Sequence, residues 1–181
     1  MPCRCAWVNP GNPVYLRYHD EEWGVPVHGD QKLLEMLLLE TFQAGLSWEC
    51  VLRKREAFSQ AFDGFDPEKI SVYGPEKVQK LLEDPGIIRH RLKIQAAVTN
   101  AKVFLEIQKE FHSFDAYLWS WSGGQVIFET GKTTSPLSDA LSRDLKKRGM
   151  KFVGSTVLYA YLQAVGVIYG HEPQCFLAKI K

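Results

Sequence analysis

Four residues of the kinds that bind transition metals are divided between the two ends of this sequence. Cys5 and His19 lie near the N-terminus, and His171 and Cys175 lie near the C-terminus. The spacing His171-x-x-x-Cys175 puts both side chains on one face if the segment is helical. Two thiolates and two imidazoles make a closed tetrahedral shell, the usual form of structural zinc, with no open position for an activated water. Such a site would fasten the two chain ends together and contribute on the order of 10 kcal/mol to folding. Cys3 is an alternative to Cys5, and His28 to His19. Scattered core thiols and hydrogen-bonded histidines are the plainer account of the same residues.

A second group of residues suggests recognition of a charged ring. Glu40 lies in the most apolar stretch of the chain, Leu37-Leu38-Leu39-Glu40-Thr41-Phe42. A carboxylate there is costly unless it is paired or has a task, and perturbed acids gather at functional sites. Rotation to solvent, or pairing with an arginine, is the structural alternative. Trp7, Tyr15, Tyr18 and Trp23 crowd the N-terminal region, and Trp48 follows the apolar stretch. Any one of these rings reads first as core. Together with a carboxylate they suit a planar cationic heterocycle, because aromatic faces attract positive charge. An alkylated purine is one such ligand.

A third feature lies at Asp84-Pro85-Gly86-Ile87-Ile88-Arg89-His90-Arg91-Leu92-Lys93-Ile94. It places a Gly-containing turn and basic residues just before a helix start, where backbone N–H groups can bind a DNA phosphate without reading sequence. An ordinary helix–helix connection is the alternative. Two further basic clusters, Arg53-Lys54-Arg55 and Lys146-Lys147-Arg148, read as solvated helix faces.

The elements that must position these residues are mostly helices. The spacing of apolar residues predicts a central buried helix over 31–44, ended by Gly45, and a second helix from an N-cap at Ser47 to about Phe62. Asp66-Pro67-Glu68 and Gly74-Pro75-Glu76 are helix starts with proline at the first position. A long amphipathic helix is predicted over 91–110, a short one over 114–121, and two more over 137–148 and 155–168. The stretch 123–135 reads as a loop with a little strand. The class is all-α. With 181 residues, 45% of them hydrophobic, the chain can bury one core, alone or with a small satellite lobe. No apolar run reaches the roughly 20 residues that span a bilayer, and the N-terminus lacks the apolar stretch of a signal peptide. A soluble cytoplasmic protein with reduced cysteines at Cys3, Cys5, Cys50 and Cys175 is the simplest expectation. The net charge of +1 decides nothing about nucleic acid.

Over essentially its whole length the sequence resembles the 3-methyladenine DNA glycosylase I (Tag) family. The stretches that carry the resemblance are Cys5-Ala6-Trp7, Tyr18-His19-Asp20, Glu22-Trp23-Gly24-Val25-Pro26 and Gln43-Ala44-Gly45-Leu46-Ser47-Trp48. They continue with Gly86-Ile87-Ile88-Arg89-His90-Arg91, Lys93-Ile94, Ser138-Asp139-Ala140-Leu141-Ser142, Lys146-Lys147-Arg148-Gly149 and Lys151-Phe152-Val153-Gly154.

The resemblance implies a helix-hairpin-helix glycosylase core at about 31–110, with its hairpin near 84–94. A second helical lobe from 1–30 and 111–181 would carry the zinc. It implies zinc ligands at Cys5, His19, His171 and Cys175, and base recognition by Glu40 within a pocket of Trp7, Tyr15, Tyr18, Trp23 and Trp48. Leu46, beside Gly45, would wedge into the duplex, with Gly86, Arg89 and Arg91 on the DNA backbone. The implied activity is monofunctional release of 3-methyladenine, with 3-methylguanine a second candidate base, from damaged double-stranded DNA by a monomer. Asp115 falls roughly where the wider superfamily keeps an aspartate, but this family does not depend on one. Lys93 reads as a DNA contact or surface residue. The principal rival is a non-catalytic zinc-stabilised DNA-binding module. A zinc hydrolase and a small-molecule binder are the others.

Overall fold

The structure, a computed structural model, describes residues 2–178. The core is built around α2 (Asp30–Gln43), nine of whose fourteen residues are buried. A helix that is apolar all round must be enclosed by others, and α3, α6, α7 and α9 all pack on it. α3 (Trp48–Ala61) starts where the Ser47 side chain accepts from Cys50 N–H. Its Phe58, with Phe62, packs edge-on against Phe42 of α2. α4 (Pro67–Ser71) is capped by Asp66, with proline in the first turn. α5 (Pro75–Glu83) then leads through the 84–90 turn into α6 (Arg91–Phe111), the longest helix.

The second half returns across this core. α7 (Phe114–Ser120) is seated by Asp30, whose carboxylate accepts from the Phe114 and Asp115 amides. α8 (Pro136–Lys147) begins in a capping box formed by Ser135 and Ser138. α9 (Ser155–Ala164) packs on α2 and α8, and Tyr161 OH donates to Leu33 O at 3.0 Å. Two short strands, β1 (Ile127–Phe128) and β2 (Ile168–Tyr169), pair in parallel.

The N-terminal segment carries a departure from regular helix. α1 (Pro13–Arg17) runs into a π-helical turn over Tyr18–Glu22, closed by Trp23 N–H donating to Tyr18 O at 2.9 Å. Such wide turns insert one residue into the helical ladder and gather at functional sites. The strap that follows lies against the end of α9: Gly24 N–H donates to Gln163 O and Val27 N–H to Val165 O, both at 3.0 Å.

One expectation is corrected here, and one condition is settled. The last predicted helix stops at Ala164, not at residue 168, because Gly166 takes a φ of +75° and Ile168–Tyr169 form a strand. The His171–Cys175 segment is a turn and not a helix. Pro173 lacks an N–H and disfavours helix at the residue before it.

Candidate active site and metal centre

The pocket is assembled from elements whose sequence positions are far apart. Glu40 projects from the last turns of α2, and Trp48 stands at the first position of α3. Tyr15 and Tyr18 come from α1 and the π turn, and Trp7 and Trp23 flank them. All six predicted residues line one cavity of about 230 Å³. That is smaller than the roughly 300–1,000 Å³ typical of drug-sized ligands and suits a single heterocycle. The rings pack on one another: Tyr18 and Trp48 centroids are 5.5 Å apart, Trp7 and Tyr15 5.3 Å, and Trp7 and Trp23 4.9 Å. Trp48 Nε1 is buried and has no acceptor among the described residues.

Glu40 neither rotates out to the protein surface nor pairs with an arginine; it faces the cavity. It is 4% exposed, and none of the hydrogen bonds or ion pairs among the described residues involves its carboxylate. Burial alone pushes its pKa from 4.5 up to about 8. Its negative form also raises the pKa of Tyr15 and Tyr18, although burial is the larger cause for both. Arg55 of α3 is held by Glu35 and Glu22, at 2.6 and 3.0 Å.

Three lining residues escape the sequence reading: Gln43, Ala160 and Gln163. Gln163 lies inside the apolar run of α9, which is the same kind of signal that marks Glu40. Gln43 Nε2 donates to Leu46 O at 2.8 Å and so ties the pocket rim to the following turn. In that turn Gly45 has a φ of +82° and Leu46 is 40% exposed.

The metal-ligand set converges as expected, without the helix. The ligand atoms of Cys5, His19, His171 and Cys175 all lie within 4.8 Å of one another, and all four residues are buried. His171 Nδ1 is 3.6 Å from both sulfurs, and His19 Nε2 is 3.5 Å from Cys175 Sγ. A tetrahedral ion with usual zinc bond lengths would set sulfur and nitrogen about 3.5 Å apart, so this cluster could hold one metal ion. Cys3 is exposed and outside the cluster, and His28 pairs instead with Asp115 at 2.8 Å. The cluster abuts the pocket: Trp7 packs on His19 at 5.3 Å and Trp23 on His171 at 4.7 Å between centroids.

At the 84–90 turn, glycine has a packing reason. A Cβ on Gly86 would come within 2.9 Å of Ala57 Cβ, and its N–H already donates to Asp84 Oδ1 at 2.7 Å. Arg89 and Arg91 are exposed at the start of α6. The other two basic clusters are partly committed elsewhere. Lys54 donates to Pro85 O and Arg55 joins its acids, while Arg148 is held by Glu110 and Asp144. Lys93 is not a surface residue: it is 6% exposed, and Nζ donates to Phe42 O at 2.9 Å and Ala44 O at 2.7 Å. Asp115 does not line the pocket.

A small aromatic pocket floored by a buried acid, on a helical frame, fits an enzyme that takes one base out of its stack. The profile of the methyladenine glycosylase family matches residues 7–178, and the chain belongs to that family. It is 45% identical to DNA-3-methyladenine glycosylase 1 of Escherichia coli (strain K12), over 95% of each chain. It is 40% identical to DNA-3-methyladenine glycosylase of Haemophilus influenzae, over 97% of each. Among solved structures, a crystal structure of 3-methyladenine DNA glycosylase I (TAG) matches with a TM-score of 0.94 at 45% identity, covering 98% of this chain and 100% of that one. The enzyme from Staphylococcus aureus, whose structure concerns 3-methyladenine recognition, matches with a TM-score of 0.93 at 34% identity, covering 98% of each chain.

Proposed function

We propose that this chain is a monofunctional DNA glycosylase of base excision repair that hydrolyses the N-glycosidic bond of 3-methyladenine in alkylated DNA. The observation that carries the reading is Glu40: a buried carboxyl without a partner among the described residues, set among aromatic rings in a cavity sized for one heterocycle. Methylation at N3 makes the base cationic while it is still attached to the sugar. A cation supplies the counter-charge whose absence keeps Glu40 protonated; it stacks on the rings and favours the carboxylate, which then holds it by charge-assisted hydrogen bonds. A neutral adenine offers no such compensation, so discrimination arises from the acid and the rings together.

The chemistry asks little more of the protein. The lesion must leave the stack, at a cost that damage lowers. Leu46, exposed beside the pocket rim, would fill the gap, and Arg89 and Arg91 at the hairpin would hold the backbone. The C1′–N9 bond breaks with its electron pair going to the base, which departs as neutral 3-methyladenine. Water adds at C1′, loses a proton to solvent, and leaves an abasic site. Lys93 is engaged by two carbonyls, which supports the absence of a Schiff-base step.

The four-residue cluster is read as a structural zinc site of the chain, with Cys5, His19, His171 and Cys175 as its complete shell. When bound, the ion would supply folding energy and no reaction step. Free thiolates for such a shell call for a reducing compartment, in keeping with a cytoplasmic monomer. A non-catalytic DNA-binding module would have no use for an unpaired acid buried at such cost.

The deciding experiment measures free base released from methylated duplex DNA by wild type, Glu40→Gln and Asp115→Ala. The reading expects 3-methyladenine from wild type and Asp115→Ala, and a loss of about 100-fold or more for Glu40→Gln. A wild type that binds DNA but releases no base would leave the binding module in its place.

A further inference from the structure

Lys93 is electrostatically out of place on its own helix. It is the third residue of α6, in a first turn that contains no acid, at the end where the helix dipole favours anions. Its ammonium is carried instead to the far end of another helix. There Nζ donates to Phe42 O at 2.9 Å, in the last turn of α2, and to Ala44 O at 2.7 Å, at its C-cap. That end of a helix favours a cation and leaves carbonyls without helical partners. No carboxylate pairs with Nζ among the described residues. Two charge-assisted bonds offset part of the cost of burying the charge, yet an apolar residue would fill the same space more cheaply.

The position of the lysine explains its presence better than folding energy does. On one side it belongs to the turn-and-helix start that carries Arg89 and Arg91, with His90 capping α6 through Lys93 N–H. On the other side it grips the end of α2, immediately before Gly45 and Leu46. That turn is itself tight: Leu46 N–H donates to Gln43 O at 2.7 Å, and Gln43 Nε2 donates back to Leu46 O at 2.8 Å. Gln43 also lines the pocket. One side chain therefore joins the basic hairpin, the exposed leucine and the pocket rim.

We propose that Lys93 is a positioning residue that fixes the Gly45–Leu46 turn relative to the hairpin, so that the grip on the DNA backbone determines where Leu46 enters the duplex. The proposal rests on the glycosylase reading above. Lys93 takes no part in bond breaking. Its effect is confined to substrates in which a base must be drawn from a duplex and its place held.

The test is single-turnover release of 3-methyladenine from duplex and from single-stranded DNA of the same sequence, by wild type, Lys93→Met, Leu46→Ala and the double variant. Lys93→Met is expected to lose about tenfold or more on duplex and less than about threefold on single strands. The double variant should be no slower than Leu46→Ala, because the two residues act as one unit. Equal losses on both substrates, or multiplied losses in the double variant, would overturn the proposal in favour of a purely structural lysine. If Lys93→Met does not fold, Lys93→Gln, which keeps an N–H donor, is put through the same comparison and decides by the same two criteria. A wild type that released no base from either DNA would defeat the glycosylase reading and this proposal with it. A normal wild type with an unaffected Lys93→Met would defeat the proposal alone.

Discussion

His19 Nδ1 and Asp20 Oδ1 lie 2.7 Å apart, between neighbouring residues of the π turn. With Nδ1 donating to the carboxylate, Nε2 is left as the nitrogen that faces Cys175 Sγ. Arg4 holds the same carboxylate from the other side, with Nη2 at 2.6 Å from Oδ2. Orienting partners of this kind tune metal affinity by about 10- to 100-fold. Asp20→Asn should therefore weaken metal retention within that range, as measured by competition with a chromogenic chelator. An unchanged affinity would show that Asp20 serves only the ion pair with Arg4.

On the proposed reading of the Cys/His cluster as a metal site, removing its ion should cost far more than breaking a surface ion pair. A structural site supplies on the order of 10 kcal/mol, against a typical total stability of about 5–15 kcal/mol. Chelation, or Cys175→Ala, should lower the melting temperature by roughly 10 °C or more, since about 1 kcal/mol shifts a domain of this size by about 2–4 °C. Thermal unfolding followed by circular dichroism with and without chelator checks this. Coincident curves would remove the metal from the stability argument.

The burial of Glu40 makes the empty protein less stable as pH rises. Its pKa is raised from 4.5 to about 8 by burial. Below pH 4.5 the carboxyl is protonated in both the folded and unfolded chain, and no penalty exists. Between 4.5 and 8 only the unfolded chain gives up the proton, so stability falls by up to about 1.4 kcal/mol per pH unit, and above 8 the penalty is constant. Glu40→Gln should then gain a few kcal/mol over wild type at about pH 8.5 and little at about pH 4.5. Denaturant titrations at the two pH values read this directly. An advantage that does not change with pH would mean that Glu40 is not the buried acid described.

Arg89 and Arg91 should contribute sequence-independent, salt-sensitive affinity. For each phosphate that is no longer neutralised, the slope of log K against log salt becomes shallower by about 0.9. Replacing both arginines with neutral residues should make the slope shallower by about 2, without changing preference among undamaged sequences. A fluorescence-anisotropy titration against salt measures it. An unaltered slope would take the hairpin off the DNA.

Gly166 should tolerate no side chain. At a φ of +75°, a Cβ would lie 2.3 Å from the carbonyl carbon of Val25 and 2.4 Å from Pro26 N, both backbone atoms that cannot swing aside. Gly166→Ala should cost about 3 kcal/mol or more and displace the strap that carries Trp23. A loss under about 1 kcal/mol in chemical denaturation would show that the strap is not seated as described.

The helical frame is legible wherever the signal is local. The Ser47 and Asp66 caps, the prolines at the starts of α4 and α5, and the apolar run of α2 depend on residues within one or two turns. What the sequence hides depends on partners distant along the chain. Val165, Val167 and Ile168 continue the apolar run of α9, yet they leave the helix because Gly166 turns the chain and Ile168 pairs with Ile127. His171 and Cys175 come together through a turn, so the helical condition on their i, i+4 spacing is not met, and the turn does what the spacing alone would not. Lys93 resembles a surface cation because nothing in its own neighbourhood reveals the carbonyls of Phe42 and Ala44. Glu40 and Gln163 carry the same signal, a polar side chain inside an apolar helix. A carboxylate makes that signal loud, because its burial costs far more than that of a neutral amide.

Three of the five tryptophans, Trp7, Trp23 and Trp48, line the pocket, and two of these also touch the histidines of the Cys/His cluster. The molecule thereby carries its own optical gauge. Arrival of a stacked base would be felt by most of the intrinsic emission at once. Binding of a quenching ion by the Cys/His cluster would darken Trp7 and Trp23 ahead of Trp119 and Trp121, which belong to α7 and its C-terminal cap. Occupancy of the two neighbouring sites could then be followed separately in unlabelled protein.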